Sequence, residues 1–218
     1  MMHKSALLGL ALASSVLVGC AGKTTAPEQY SGFLADYSQL QPLEAASGEP
    51  VLRWVADGFD VNNYASIMVE PVCFHPKPQP SEQVSAQVID DICRYSQQRL
   101  TAELAKVRPI VQQASSDTLV VRAALTAVTT ANEEWQPYEV VPVTLVVAGA
   151  MIAAGKRDQQ VSLYFESEAV DGGTSQPMLR AVRKAFGENL SNKDAQLTLN
   201  DVKPVINRVT RDARLVLQ

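Results

Sequence analysis

Histidine is nearly missing from this chain: only His3 and His75 carry an imidazole among its 218 residues. A Ser-His-Asp or Cys-His arrangement, or a multi-histidine metal site, would have to rest on one of them. G-x-S-x-G, P-loop and H-E-x-x-H patterns are absent too, so the short motifs of hydrolases, nucleotide binders and zinc peptidases are lacking. Positive charge is sparse. Nineteen Lys and Arg stand against 23 Asp and Glu, and with no basic cluster a nucleic-acid or other phosphate-rich partner is not expected. Neither apolar run, Ala6 to Val18 or Val140 to Gly155, reaches the roughly 20 residues of a bilayer-spanning helix. What remains is ordinary: 46% hydrophobic and 19% charged residues, enough for one domain with a real core.

The most informative stretch is the first. Lys4 precedes the apolar run Ala6 to Val18, the layout of a secretory signal peptide. The run ends in Leu17-Val18-Gly19-Cys20, which resembles the lipobox of bacterial lipoproteins. That resemblance implies cleavage before Cys20 and acylation, palmitate included, of the cysteine thiol and its freed amine. Acyl chains contribute about 0.8 kcal/mol per buried CH₂, so several of them hold a protein on a membrane without a spanning segment. Ala21 and Gly22 follow the cysteine. Enterobacterial lipoproteins kept in the inner membrane commonly have Asp there, so its absence implies the outer membrane, periplasmic face. Cleavage removes His3 and Lys4, leaving one histidine and a formal charge one unit below −4.

With Cys20 acylated, Cys73 and Cys93 are the remaining thiols. An oxidising compartment and an even number allow a disulfide; two buried free thiols are the alternative. Cys73, His75 and Cys93 could also be read as metal ligands, but a surface histidine beside a disulfide is preferred, and no metal or other cofactor is expected.

From Ala21 to Pro50 the chain is polar and rich in Pro, Ser and Gly, a tether that becomes an extended strap. Its apolar anchors include Tyr30, Phe33, Leu34, Tyr37 and Leu40. The segment Ser31-Gly32-Phe33-Leu34-Ala35-Asp36-Tyr37-Ser38-Gln39-Leu40 resembles the S-G-F-L-x-D-Y-S-x-L opening signature of the DUF3313 family of bacterial lipoproteins. That family brings no established activity with it. Aromatic residues at such spacing in a loop are expected to dock the strap on the domain.

Residues 51–218 are expected to form that domain. Val51 to Asp57 and Ser66 to Val72 read as strands, and Pro76, Pro78 and Pro80 interrupt regular structure. Ser81 is a plausible N-cap for a helix with Val84, Val88, Ile92, Tyr95, Leu100 and Leu104 on one stripe, and Asp90 and Arg94 can pair on its outer side. Thr118 to Thr130 is a strand with apolar residues on both faces. Gln160 to Asp171 alternates, with Val161, Leu163 and Phe165 against Tyr164, Glu166 and Glu168. Asp171-Gly172-Gly173 is a turn. Met178 to Gly187 fits helix or strand; the resemblance to DUF3313 implies a strand pairing back. Asp201 to Leu217 is an amphipathic helix with Pro204 in its first turn. The expected architecture is α+β: a two-layer sandwich, a mainly antiparallel sheet of about four strands covered on one face by two helices.

Val140 to Gly155 permits three readings: a buried helix or crossover, a partner or oligomer interface, or a membrane-dipping hairpin. DUF3313 proteins carry a similar apolar stretch after a proline. Small residues allow close approach, so Val143, Leu145, Val147, Met151 and Ile152 form the candidate contact surface. The carboxylate pairs Glu133/Glu134, Asp90/Asp91 and Glu166/Glu168 are read as solvated surface. The functional expectation is a non-enzymatic, membrane-anchored binding or structural module of the envelope that binds another envelope protein or peptidoglycan, or self-associates. The alternative is a carrier or sensor of a small apolar ligand held between sheet and helices.

Overall fold

The computed structural model describes residues 24–80, 84–131, 159–190 and 196–218. The signal peptide and Cys20 lie outside these, as does the whole run Val140 to Gly155 with Val143, Leu145, Val147, Met151 and Ile152. The chain order is β1 (Gln41–Glu44), β2 (Pro50–Val55), β3 (Ser66–Val69), β4 (Cys73–Phe74), α1 (Ala86–Leu104), β5 (Ile110–Val111), β6 (Thr118–Ala131), β7 (Gln159–Asp171), β8 (Pro177–Leu190) and α2 (Leu199–Leu215).

The fold is α+β, but the expectation of about four strands is wrong: the described residues form an eight-stranded sheet, ordered β1-β2-β8-β7-β6-β3-β5 with β4 also on β6. Three of the eight strands have no counterpart among the segments read from the sequence. Strand β1 comes from the strap and is exposed along its whole length, so it has no apolar alternation to read. Strands β4 and β5 have two residues each, too short for any period. The sheet is also mixed, since β3 pairs in parallel with β5 and β6, and β4 in parallel with β6. Its antiparallel centre is the long β6-β7-β8 meander.

The turn after β7 depends on Gly172. A Cβ there would sit 2.5 Å from the Ser115 carbonyl oxygen and 2.6 Å from that of Thr118, closer than any side chain tolerates. Asp171 Oδ1 accepts from the Gly173 and Thr174 amides at 3.0 and 2.8 Å and closes the turn.

Both helices cover one face. Cross-strand partners share a face, so Leu119, Val121, Leu125, Val161, Leu163, Leu179 and Ala185 point together toward Ile92, Leu100, Leu104, Val202, Val205 and Ile206 in one core. Helix α1 begins later than expected. Its N-cap is Ser85, whose Oγ accepts from the Val88 amide at 3.2 Å, rather than Ser81. Arg94 pairs with Asp91 instead of Asp90, at 2.8 Å; exposed pairs of this kind contribute little. Helix α2 begins at Leu199, ahead of Asp201, whose carboxylate accepts from the Thr198 amide at 2.7 Å. Pro204 thus falls past the first turn, where it denies a hydrogen bond to the Asn200 carbonyl. Glu103 of α1 is buried and joins the helices, bonding Lys106 at 2.8 Å, Arg99 at 3.1 Å and Arg214 of α2 at 3.0 Å. The Lys106 hydrogen bond, and then that of Arg214, hold its carboxyl below the ordinary range against the opposing effect of burial.

Candidate functional site

The opposite sheet face is covered by the strap, and Glu166 organises the docking. Glu166 follows the polar alternation of β7, yet it is 1% exposed, which corrects the expectation of a solvated carboxylate pair. Its Oε1 accepts from the Ser31 amide at 2.7 Å and its Oε2 from the Tyr37 hydroxyl at 2.5 Å. The same Tyr37 oxygen accepts from the Gly32 and Leu34 amides at 2.9 and 3.2 Å. Gly32 has φ +80°, a conformation that only glycine adopts without strain. Leu34 is buried, Phe33 lies edge-on to His75 at 5.6 Å, and Tyr30 stacks on Tyr37 at 4.4 Å. Asp36 accepts from Arg180 at 3.1 Å, and Arg180 also sits over the Trp54 ring. The Ser31–Leu40 signature is therefore a latch that fastens the strap to the sheet.

Burial, and next the hydrogen bond to Glu166, push the Tyr37 phenol up from 10.0 to about 12. A raised folded-state pKa favours the protonated form on docking. Its contribution is complete below pH 10 and is lost as the pH rises toward about 12. Absorbance titration should find tyrosinate formation near 12 for Tyr37 and Tyr64, with one of the two groups missing in Tyr37→Phe. A single group near 10 in place of both would refute the docked geometry.

On the helix face there is a cavity of about 490 Å³ between sheet and helices. Its floor is made by sheet register. Ala123 on β6 lies opposite Ser167 on β7, Ser167 opposite Ala181 on β8, and Ala181 opposite Arg53 on β2. Three small side chains in one cross-strand row leave a trough, flanked by the larger Val121, Leu179 and Phe165. Leu100, Leu104, Ile206, Val209 and Ala213 of the two helices form the roof. Ser96 of α1 also lines it; its buried Oγ has no hydrogen-bond partner. Arg183 and Asp212 close one end. They are 5% and 8% exposed and pair at 2.6 Å, while Arg183 also reaches Glu49 at 2.7 Å and Ser47 Oγ at 3.1 Å.

Cys73 and Cys93 are joined in a disulfide that links β4 to α1. The sulfurs that a metal site at His75 would need are therefore bonded to each other. Among the described residues no three His, Cys, Asp or Glu are placed to hold a metal, and no helix is long and apolar enough to cross a membrane. The residues of the trough and its ends, Arg53, Ser96, Arg183 and Asp212, escaped sequence reasoning. One signal was available: Arg183 interrupts the alternation Leu179, Ala181, Ala185 on a buried face.

A signal peptide ending in a lipobox, a polar leader and a strap-latched α+β domain are the parts of a lipoprotein. The chain belongs to the DUF3313 family, described as "Protein of unknown function (DUF3313)", whose profile matches residues 29–213. The uncharacterized lipoprotein YdcL of Escherichia coli K12 is 42% identical over 199 residues, 91% of this chain and 90% of that protein. Solved structures resemble it more remotely. The PelC dodecamer from Paraburkholderia phytofirmans matches at 11% identity and TM-score 0.36, over 74% of this chain and 96% of that one. A putative neuraminyllactose-binding hemagglutinin homolog from Helicobacter pylori matches at 11% identity and TM-score 0.38, over 80% and 90%. At such distances neither likeness carries an argument about function.

Proposed function

We propose that this lipoprotein is a non-enzymatic binding module, held by acyl chains on Cys20 at the periplasmic face of the outer membrane, whose domain takes up a small apolar ligand. The cavity between sheet and helices carries this reading. Its volume lies within the roughly 300–1,000 Å³ of small-molecule sites, and such sites combine apolar walls with a few polar groups. The pairing of its polar groups supports a binding role. Arg183 and Asp212 already neutralise each other, and among the described residues the Ser96 hydroxyl has no hydrogen-bond partner that could act as a base. Ala21 in place of an acid after Cys20 supports the outer membrane as address.

The test is photolabelling of the full-length acylated protein in its own membrane with a long-chain alcohol bearing a diazirine at its far end. Peptides containing Leu100, Val209 and Ala213 should carry the label. Ala181→Phe, which fills the trough, should remove it while the thermal melt stays cooperative. Labelling confined to surface positions, or untouched by Ala181→Phe in a folded protein, would overturn the reading.

A further inference from the structure

The trough has a direction, and a charge at its end. Along the row Ala123-Ser167-Ala181 the next residue on the same face is Arg53, on β2 near the sheet edge. Its neighbours Arg180, Arg183 and Arg208 are all engaged in ion pairs. The Nε of Arg53 lacks a hydrogen-bond partner, as do those of the other three, but among the described residues no ion pair ends on the Arg53 guanidinium. Glu44 also lines the cavity, and no ion pair joins it to Arg53. Gln41 lies opposite Arg53 across the strands, and exposed apolar side chains stand near it. Leu43 and Val55, which share its sheet face, are 44% and 39% exposed, and Leu215 of α2 is 37% exposed. These are the exposed large hydrophobic residues of the described chain.

We infer that the ligand is a single-chain anionic amphiphile, its acyl chain lying along the Ala123-Ser167-Ala181 trough and its acidic head on Arg53. This rests on the cavity being a ligand site and adds to it the chemistry of the occupant. A linear trough of small side chains suits a linear hydrocarbon. A guanidinium, with its planar fork of donors, suits a carboxylate or a phosphate and is costly to leave partly buried without a partner. The exposed Leu43, Val55 and Leu215 form the apolar lip across which the chain enters. The register of β1, β2 and β8 places Leu43 and Val55 on the same sheet face as Arg53.

The experiment uses the full-length acylated protein in its membrane at pH 8 with three diazirine probes of equal chain length: a fatty acid, a fatty alcohol and a lysophosphatidic acid. Wild-type protein should capture the fatty acid, the lysophosphatidic acid, or both in the cavity. Arg53→Gln should lower that capture about tenfold, the loss expected for one charge-assisted hydrogen-bonded contact, and leave alcohol capture unchanged; Arg53→Lys should restore most of it. Which acid depends on Arg53 distinguishes a carboxylate head from a phosphate head. Acid capture equal in wild type and Arg53→Gln, with the alcohol still labelling the cavity, overturns the anionic head and spares the apolar site. No labelling of the cavity by any probe in wild type overturns both.

Discussion

Asp212→Ala is expected to destabilise the domain by about 3 kcal/mol, the lower end of what breaking a buried ion pair costs. Asp212 and Arg183 are both nearly inaccessible and 2.6 Å apart. Removing the carboxylate leaves a guanidinium between sheet and helix with only Glu49 to oppose it, and leaves Ser47 Oγ without the acceptor it holds at 2.6 Å. The decisive comparison is the double replacement Arg183→Leu/Asp212→Leu. It removes both charges, while Glu49 keeps Arg208 at 2.7 Å. Chemical denaturation should find the double variant more stable than Asp212→Ala, with a coupling of more than about 1 kcal/mol. Additive losses would show that the pair is solvated rather than buried.

Cys93→Ala is expected to cost about 3 kcal/mol, through the unfolded chain. The Cys73–Cys93 bridge closes a loop of 20 residues in sequence separation, and loops of this size lose about that much conformational freedom when cross-linked. The bridge also joins the two-residue strand β4 to α1 across the segment that holds Pro76, Pro78 and Pro80. Oxidised protein should melt well above both Cys93→Ala and reduced wild type, and these last two should agree closely. An unchanged melting temperature on reduction would mean that the loop is held by other contacts.

Periodicity in the sequence was enough to place the long elements. Ile92, Leu100 and Leu104 sit on one stripe of α1, Val161 and Leu163 on one face of β7, and each ends up in the core. Strand β1 stayed hidden because an edge strand exposed on both sides has no pattern, and β4 and β5 because two residues have no period. The ten residues Ser31 to Leu40 were visible as a docking motif, but their receptor was not. Glu166 alternates as a solvent-facing residue should, and it is buried only because a strap some 130 positions earlier in the chain closes over it. The trough was hidden for a related reason. Ala123, Ser167 and Ala181 are unremarked small residues in three separate strands, and only the register of β6, β7 and β8 sets them side by side.

The latch also sets a height above the bilayer. Thr25 is already buried against the domain, and a fully extended chain spans at most about 3.5 Å per residue. From an acylated Cys20 to Thr25 that is about 18 Å at most, so a latched domain rides close to the lipid surface. If the strap were peeled back to Gln41, the same chain could span about 70 Å. The hydrogen bonds that Glu166 makes to Ser31 and Tyr37 thereby limit how far the domain can stand from the anchoring cysteine.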